Sequence, residues 1–369
     1  MSLPSQTLNA DLFARAQGLL DEEWLSQDAD LAPVLPVVLA RGVGQDWHKA
    51  GTFRHHLVGV ARSLTLWQQP AQVRLLGLLH SVYGNAFVDL VKFDAASERG
   101  RLQQMIGEQA EHLVYVFCTM SRLEFMQKIL AGEVAADGSM QVIKNGPEPR
   151  TVLTLSAYEV AAFAIVTMAD IIEQWSSWQD DVYSRFPDLN TTRQQTTHWG
   201  ASLWPGPMRP TGRMVSVIAA LGQAVAQHEK LRSQLPLPPV FAQCSQTLSA
   251  GNEAAAQSLY WSVIQLDQPL VDLDVATGVM EQAVRLNPWV GEPQMVLAQL
   301  YLSAGRNADA ARTAESALQA FCSWGNAWDK RVQWDAWIAW TRILLQSATE
   351  GTWPERLDKL NNIALRQPV

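Results

Sequence analysis

The residues best suited to chemistry are three histidines that lie close together in the chain. His55, His56 and His80 fall within residues 54–80, and the whole chain has seven histidines. His56 and His80 are 24 residues apart. Each lies at the end of an apolar segment with helical periodicity. Because imidazole can bind a metal ion or transfer a proton near neutral pH, this pair is the first candidate for a functional site.

A carboxylate in an apolar segment is the second candidate. Asp170 lies within Ala161–Ile172, where nearly every other residue is apolar. A buried carboxylate needs a compensating partner. The sequence leaves three partners open for it: a metal ion, Arg54 or the N-terminus of a helix.

The elements that must position these residues are predicted to be helices. Apolar residues recur every three or four positions over six segments. Ser156 followed by Glu159 predicts a capping box at the start of the most apolar of them. Two short strands are predicted at residues 140–143 and 151–155. The six predicted helices span residues 7–26, 56–68, 71–83, 100–118, 156–178 and 213–233.

The C-terminal part of the chain is predicted to consist of helical hairpins. Met280–Phe321 resembles a tetratricopeptide repeat, with a helix pair joined at Gly305, and such arrays usually bind partners or support self-association. Three prolines, Pro236, Pro238 and Pro239, mark a boundary. The sequence therefore predicts an all-α protein with an N-terminal helical domain at 1–235 and a tetratricopeptide-like domain at 240–369. The small-residue packing positions of the repeat fit Ala298, Tyr301, Ala304, Gly305, Ala310, Ala314 and Ala317.

Four segments resemble the HD-domain superfamily, in particular the hydrolase module of bifunctional alarmone (p)ppGpp enzymes. Phe53–Ala61 is similar to the family's "Y-x-x-H-P-L-A-V-A" helix, and Gly77–Tyr83 to its "A-L-L-H-D-V-V-E-D-T" helix. Ile106–Phe117 is similar to "F-G-x-x-V-A-x-L-V-x-G-V", and Ala164–Trp175 to "x-I-K-L-A-D-R-L-H-N-M". The four follow in the family's order, so the resemblance implies an HD-like fold for the N-terminal domain.

The resemblance implies a metal site. The family's ligands carry over to His56, His80 and Asp170, and the implied cofactor is a divalent ion, Mn or Fe. The fourth ligand of the family is an aspartate next to the second histidine, and here that position is Ser81. The family's acidic pair, which handles the attacking water, is also missing, since Gly84 and Asn85 occupy that region.

Three functions remain open at this point. The first, slightly favoured, is metal-dependent hydrolysis of a small, anionic molecule, with Tyr83, Glu108 and Glu111 as acid–base candidates. The second is a mononuclear non-haem iron oxygenase in a biosynthetic pathway, because two histidines and one carboxylate are its usual ligands. The third is a non-catalytic binding protein with a degenerate site. The candidates for substrate binding are Arg54, His55, Ser81, Lys92, Trp204 and Arg209.

Composition restricts the partners. The net charge of −8 argues against nucleic acid and anionic membranes as general partners. The most apolar run, Val160–Ile172, is too short to span a bilayer and contains Asp170. Three cysteines without a CxxC pair favour a reducing, cytoplasmic location. A small-molecule substrate is expected, together with a protein partner or self-association through the C-terminal repeats.

Overall fold

The protein is described by a computed structural model, and the described residues are mostly helical. The predicted all-α class is confirmed. The strands among these residues form two short antiparallel pairs. No helix in this part of the chain is both long and apolar enough to cross a membrane. The described residues are 3, 6–21, 23–48, 51–85, 90–146, 150–174, 214–240, 248–264, 272–355, 359 and 363–364.

The chain divides into two compact units. The histidine unit comprises Gly18–Gln174 and Val217–Thr247. The C-terminal unit comprises Met1–Gln17, Trp175–Ser216 and Leu248–Val369. The N-terminal residues thus group with the C-terminal helices. The two predicted domains, 1–235 and 240–369, stay a prediction.

The elements up to residue 232 are eleven helices and four short strands among the described residues. The strands are β1 (Trp47–His48), β2 (Gly51–Thr52), β3 (Met140–Ile143) and β4 (Val152–Leu155). The helices are α1 (Ala10–Gln17), α2 (Glu23–Gln27), α3 (Leu35–Leu39), α4 (Phe53–Leu66), α5 (Ala71–Leu79), α6 (Arg99–Ile106), α7 (Glu108–Thr119), α8 (Arg122–Leu130), α9 (Ala157–Gln174), α10 (Met214–Gln227) and α11 (Glu229–Arg232).

Local sequence signals fix the start of helix α4. The Thr52 hydroxyl accepts a hydrogen bond from the His55 backbone N–H, and the Thr52 backbone N–H donates to His55 Nδ1. This reciprocal pair is a capping box, although its second member is a histidine instead of the usual Glu or Gln. His56 therefore lies in the first turn of α4, on its buried side.

Helix α5 ends earlier than the sequence predicted. The prediction of a helix over 71–83 is wrong at its end, because α5 stops at Leu79. The backbone N–H of Val82 then donates to Leu79, and that of Gly84 donates to Ser81, so the chain continues in tight turns. Gly84 has a φ of +73°, which an L side chain rarely adopts. His80 is consequently the first residue beyond the helix, and its ring is fully buried.

Close packing of α4 against α5 depends on Gly77. A Cβ atom built at Gly77 would overlap Leu64 Cδ1 and lie 3.3 Å from Val60 Cγ1. We expect Gly77→Ala to destabilise the protein by about 1–3 kcal/mol, because overpacking forces the two helices apart. The matched control is Gly100→Ala in α6, where a Cβ meets open space. The free energy of unfolding of that variant should rise by roughly 0.5–1 kcal/mol, because alanine has a higher helix propensity than glycine. Urea unfolding measures the stability of both variants. A loss of stability in both would contradict the packing argument.

The helix predicted over 213–233 is split at His228 into α10 and α11. Two other long predicted helices are interrupted. The prediction over 100–118 is split by Gly107, whose φ of +85° separates α6 from α7. The prediction over 7–26 is likewise split, into α1 and α2. Apolar periodicity continues across both breaks, so the pattern alone does not show them.

Helix α9 is the centre of the histidine unit. Ser156 and Glu159 form the predicted capping box at its start, with the Ser156 backbone N–H donating to Glu159 Oε2 at 2.7 Å. All residues from Val160 to Ile172 are buried. Helices α4 and α5 both pack against α9. The predicted strands pair as β3 and β4 just before it.

Among the described residues after 248, the C-terminal unit contains five longer helices. Consecutive helices pack on one another, and Gly305, with a φ of +71°, joins the third to the fourth. Of the predicted small-residue positions, Ala304 and Gly305 are exposed at this turn and the other five are buried. The resemblance to a tetratricopeptide repeat stays a prediction. The five helices are α12 (Ala250–Ile264), α13 (Leu273–Leu286), α14 (Gly291–Ser303), α15 (Asn307–Trp324) and α16 (Trp334–Glu350).

Two buried carboxylates fix the loop between α15 and α16. Glu292 Oε1 accepts the backbone N–H groups of Trp328 and Asp329. Burial raises the pKa of Glu292 to about 7, against the lowering effect of these N–H donors. Asp329 accepts from Tyr260 at 2.9 Å and from the Arg331 guanidinium. Each of these polar contacts lies within the C-terminal unit, so we assign them a role in holding that unit together.

Candidate metal centre

Three side chains from separate elements converge inside the histidine unit. His56 comes from α4, His80 from the end of α5 and Asp170 from α9, and all three are buried. His56 Nε2 lies 3.0 Å from His80 Nε2 and 3.4 Å from Asp170 Oδ1. His80 Nε2 lies 3.6 Å from the same Asp170 oxygen. The three residues that the HD resemblance implies as ligands are therefore brought together.

The separations of these three atoms suit a shared divalent cation. With metal–ligand distances of about 2.1 Å, two ligands lie about 3.0 Å apart at a right angle and about 3.4 Å apart at a tetrahedral angle. The observed separations of 3.0, 3.4 and 3.6 Å fall in or near this range. Among the described residues, these three are the group of metal-binding side chains, of the types His, Cys, Asp or Glu, that lie close enough together to hold a metal ion.

The hydrogen bond made by Nδ1 of each imidazole fixes the tautomer of that ring. His80 Nδ1 lies 2.7 Å from the Gly77 carbonyl oxygen, which can only accept, so this nitrogen carries the proton. His56 Nδ1 donates to the Glu173 carboxylate. Each Nε2 is then a lone-pair donor unless its ring carries two protons. Two lone pairs 3.0 Å apart repel, and a proton or a metal ion between the two Nε2 atoms would remove that repulsion.

The protein keeps His80 uncharged. The pKa of His80 is lowered to about 4, mainly by burial; Asp170 raises it, and the neighbouring His56 and Arg122 contribute to the lowering. At neutral pH the Nε2 atom of His80 therefore offers a lone pair. A neutral imidazole whose Nδ1–H is held by a carbonyl is the usual state of a metal-binding histidine.

Arg122 keeps Asp170 ionised. Burial alone would raise the pKa of Asp170, but the Arg122 guanidinium and the two histidines hold it well below its usual value. Arg122 Nη2 donates to Asp170 Oδ2, which leaves Oδ1 facing the histidines. The guanidinium also lies 4.6 Å over the ring of Phe117. One carboxylate oxygen thus serves the ion pair, and the other is directed to the site.

Four neighbours of the site were not predicted from the sequence. Glu173 and Gln174 follow Asp170 by about one helical turn, so the periodicity of α9 could have indicated them. A Cβ at Gly59 of α4 would lie 2.6 Å from Glu173 Cγ, so a glycine there lets Glu173 approach His56. No sequence signal points to the other two. They are Arg122 and His48, whose ring centroid lies 4.7 Å from that of His56.

Several predicted substrate-binding residues have structural contacts. Ser81 is buried, and its hydroxyl accepts a hydrogen bond from Asn85 Nδ2 at 3.0 Å. His55 caps α4, and Lys92 forms an ion pair with Asp46. Their roles in substrate binding stay predictions, as does that of the half-buried Arg54. Trp204 and Arg209 lie outside the described residues.

The predicted acid–base residues meet at a separate cluster. Glu111 is buried and accepts from Tyr83 at 2.9 Å, and both of its oxygens accept from Arg99 at 2.8 Å. Burial, followed by the Glu111 contact, raises the pKa of Tyr83 far above its usual value, so its hydroxyl is a donor. Glu108 is exposed and, with Arg99, Glu111 and His112, lines an open cleft of about 370 Å³. An acid–base role for these residues stays a prediction.

Comparison with known proteins gives one match. A family model described as "Domain of unknown function (DUF6817)" matches residues 37–122, which include His56 and His80 but not Asp170. No curated protein matches the chain, and no solved structure matches it. The chain is similar to that family over this segment, and the likeness names no activity.

Proposed function

We propose that this chain is a metal-dependent hydrolase with an HD-type site that acts on a small, anionic molecule. The observation that carries the proposal is the convergence of His56 Nε2, His80 Nε2 and Asp170 Oδ1 to within 3.6 Å of one another. These atoms come from α4, from the residue that follows α5, and from α9. A bound divalent cation would supply Lewis-acid activation of water or of a substrate oxygen.

Each proposed ligand has a partner behind it, and these partners support the proposal. Glu173 orients His56, the Gly77 carbonyl orients His80, and Arg122 orients Asp170. Metal-binding histidines usually donate their second N–H to a carboxylate or a carbonyl. Because the partners hold the donors in place, little side-chain entropy is lost when an ion binds.

Ser81 makes the proposed centre mononuclear. A second metal ion in an HD site needs the aspartate that Ser81 replaces, and a serine hydroxyl is a poor ligand. The Ser81 hydroxyl is also engaged by Asn85. We therefore propose a single cation.

A mononuclear iron oxygenase is the second candidate. Two histidines and one carboxylate on one side of a metal ion are the ligand set of many non-haem iron oxygenases, which keep the remaining positions open. The specific observation in favour is the 3.0 Å distance between the two histidine Nε2 atoms, which is the separation of two ligands at a right angle on one metal ion. The two candidates share their ligands and differ in metal and co-substrate.

Metal analysis of the full-length protein tests the proposal. We expect one equivalent of Mn, Fe or Zn after reconstitution with each ion. We also expect release of inorganic phosphate or pyrophosphate from a panel of small phosphate and diphosphate esters that includes (p)ppGpp. Oxygen consumption with Fe²⁺, without release of phosphate or pyrophosphate, would overturn hydrolysis in favour of the oxygenase. If no divalent ion binds, both enzymatic functions are excluded and the site is that of a non-catalytic binding protein.

A further inference from the structure

The Gln174 side chain lies against the same atoms as the proposed cation. Gln174 Nε2 is 3.2 Å from His56 Nε2 and also donates to Asp170 Oδ1. It therefore lies at the distance from His56 Nε2 that a further ligand would have, close to those of His80 and Asp170. Gln174 thus lies beside the atoms of His56, His80 and Asp170 that would bind the cation.

The amide group can present either of two atoms to the proposed cation site. Its NH₂ donates hydrogen bonds and its carbonyl oxygen accepts them, and the two have nearly the same shape. With NH₂ inward, Gln174 satisfies His56 Nε2 and Asp170 Oδ1 as a donor, as observed. Half a turn about the terminal bond places the carbonyl oxygen, Oε1, in the same position.

We propose that Gln174 Oε1 is the fourth protein ligand of the cation held by His56, His80 and Asp170. This inference rests on the proposed function. A cation repels the NH₂ group and attracts the carbonyl dipole, so binding would turn the amide over. Gln174 follows Asp170 by four residues on α9, which puts both side chains on one face of the helix.

Other nearby groups are less suited to this position. The Ser81 hydroxyl accepts from Asn85, and Glu173 already accepts from His56 Nδ1 on the far side of that ring. Arg122 is a cation and offers no lone pair. The proposed fourth ligand is thus Gln174 of α9 instead of residue 81, which is Ser81 here.

The proposed donor set defines the ions that the site prefers. Two imidazoles, one carboxylate and one amide oxygen are borderline to hard ligands without a thiolate. Such a set suits Mn²⁺, Fe²⁺, Co²⁺ or Zn²⁺ better than Cu⁺, which prefers sulfur. The amide is neutral, so the site carries one negative charge fewer than it would with a second aspartate. We expect weaker binding than a four-ligand site with two carboxylates.

Cobalt binding by the full-length protein tests the proposal, because Co²⁺ absorption reports the donor set without any activity. Gln174→Met keeps a side chain of similar length and removes the oxygen. Gln174→Glu keeps the oxygen and adds a charge. Gln127→Met, at an exposed position on α8, is the matched control. Chelator competition measures affinity, and circular dichroism of the metal-free proteins shows whether each variant is folded.

We expect Gln174→Met to weaken cobalt binding by about 10- to 100-fold and to change the visible spectrum. Gln174→Glu should bind at least as tightly as the original protein, and Gln127→Met should be unchanged. If folded Gln174→Met keeps the original affinity and spectrum, Gln174 is not a ligand, and the proposed function stands. If the unaltered protein takes up no cobalt, the proposed function and this inference are both wrong.

Discussion

Replacing His80 with alanine is expected to abolish the stabilisation that a divalent metal ion gives the protein. A metal at about 100 times its dissociation constant should stabilise the unaltered protein by about 2.7 kcal/mol, because it binds the folded state alone. His80 supplies one of the three convergent donors, and its Nε2 lies 3.0 Å from that of His56. Without it, His56 and Asp170 are the two that remain of these three donors, and the thermal shift with metal should disappear. Thermal unfolding with and without Mn²⁺ or Zn²⁺ measures the difference.

His112→Ala is the control for this experiment. His112 is an exposed histidine of the same unit that pairs with Glu159, away from the three convergent atoms. It should keep the full metal-dependent shift. An equal shift in His80→Ala and the unaltered protein would mean that the ion binds elsewhere, and the proposed centre would be wrong.

Replacing Arg122 with methionine is expected to destabilise the metal-free protein by about 3–5 kcal/mol. Arg122 and Asp170 form a buried ion pair, and removal of one partner leaves an uncompensated charge in the interior. Methionine retains much of the packing over Phe117, so the loss is mainly electrostatic. Urea unfolding of chelator-treated protein measures the change. Saturating metal should restore part of the loss, because the cation then compensates Asp170.

A double substitution separates the ion pair from general damage. Asp170→Asn alone leaves Arg122 charged and buried without its partner, so it should also be destabilising. In the double variant Arg122→Met with Asp170→Asn, neither charge remains, and the loss should be smaller than the sum of the two single losses. Groups in direct contact typically show a coupling of about 0.5–3 kcal/mol. Additive losses would show that the pair does not stabilise the fold.

Local features of the structure could be read from the sequence because they depend on residues within a turn or two of each other. The Ser156–Glu159 capping box and the β3–β4 hairpin follow from short-range chemistry, and both are present. Apolar periodicity indicated the α4, α5 and α9 helices. It did not locate their ends exactly, since α5 ends at Leu79 through turns that depend on Gly84. The break at Gly107 was missed for a similar reason, because a glycine with a positive φ does not disturb the apolar pattern.

The sequence alone supplied the candidate ligands, because the segments that contain His56, His80 and Asp170 resemble those of the HD superfamily. Only the tertiary structure decided which atoms face one another. Arg122 is 48 residues from Asp170, and Glu173 is 117 residues from His56, so no local pattern links them. Their contacts arise from the way that α4, α5 and α8 meet α9. The physical reason is that helix periodicity determines which face of a helix is buried, whereas the partner of a buried polar atom depends on which helix packs against that face.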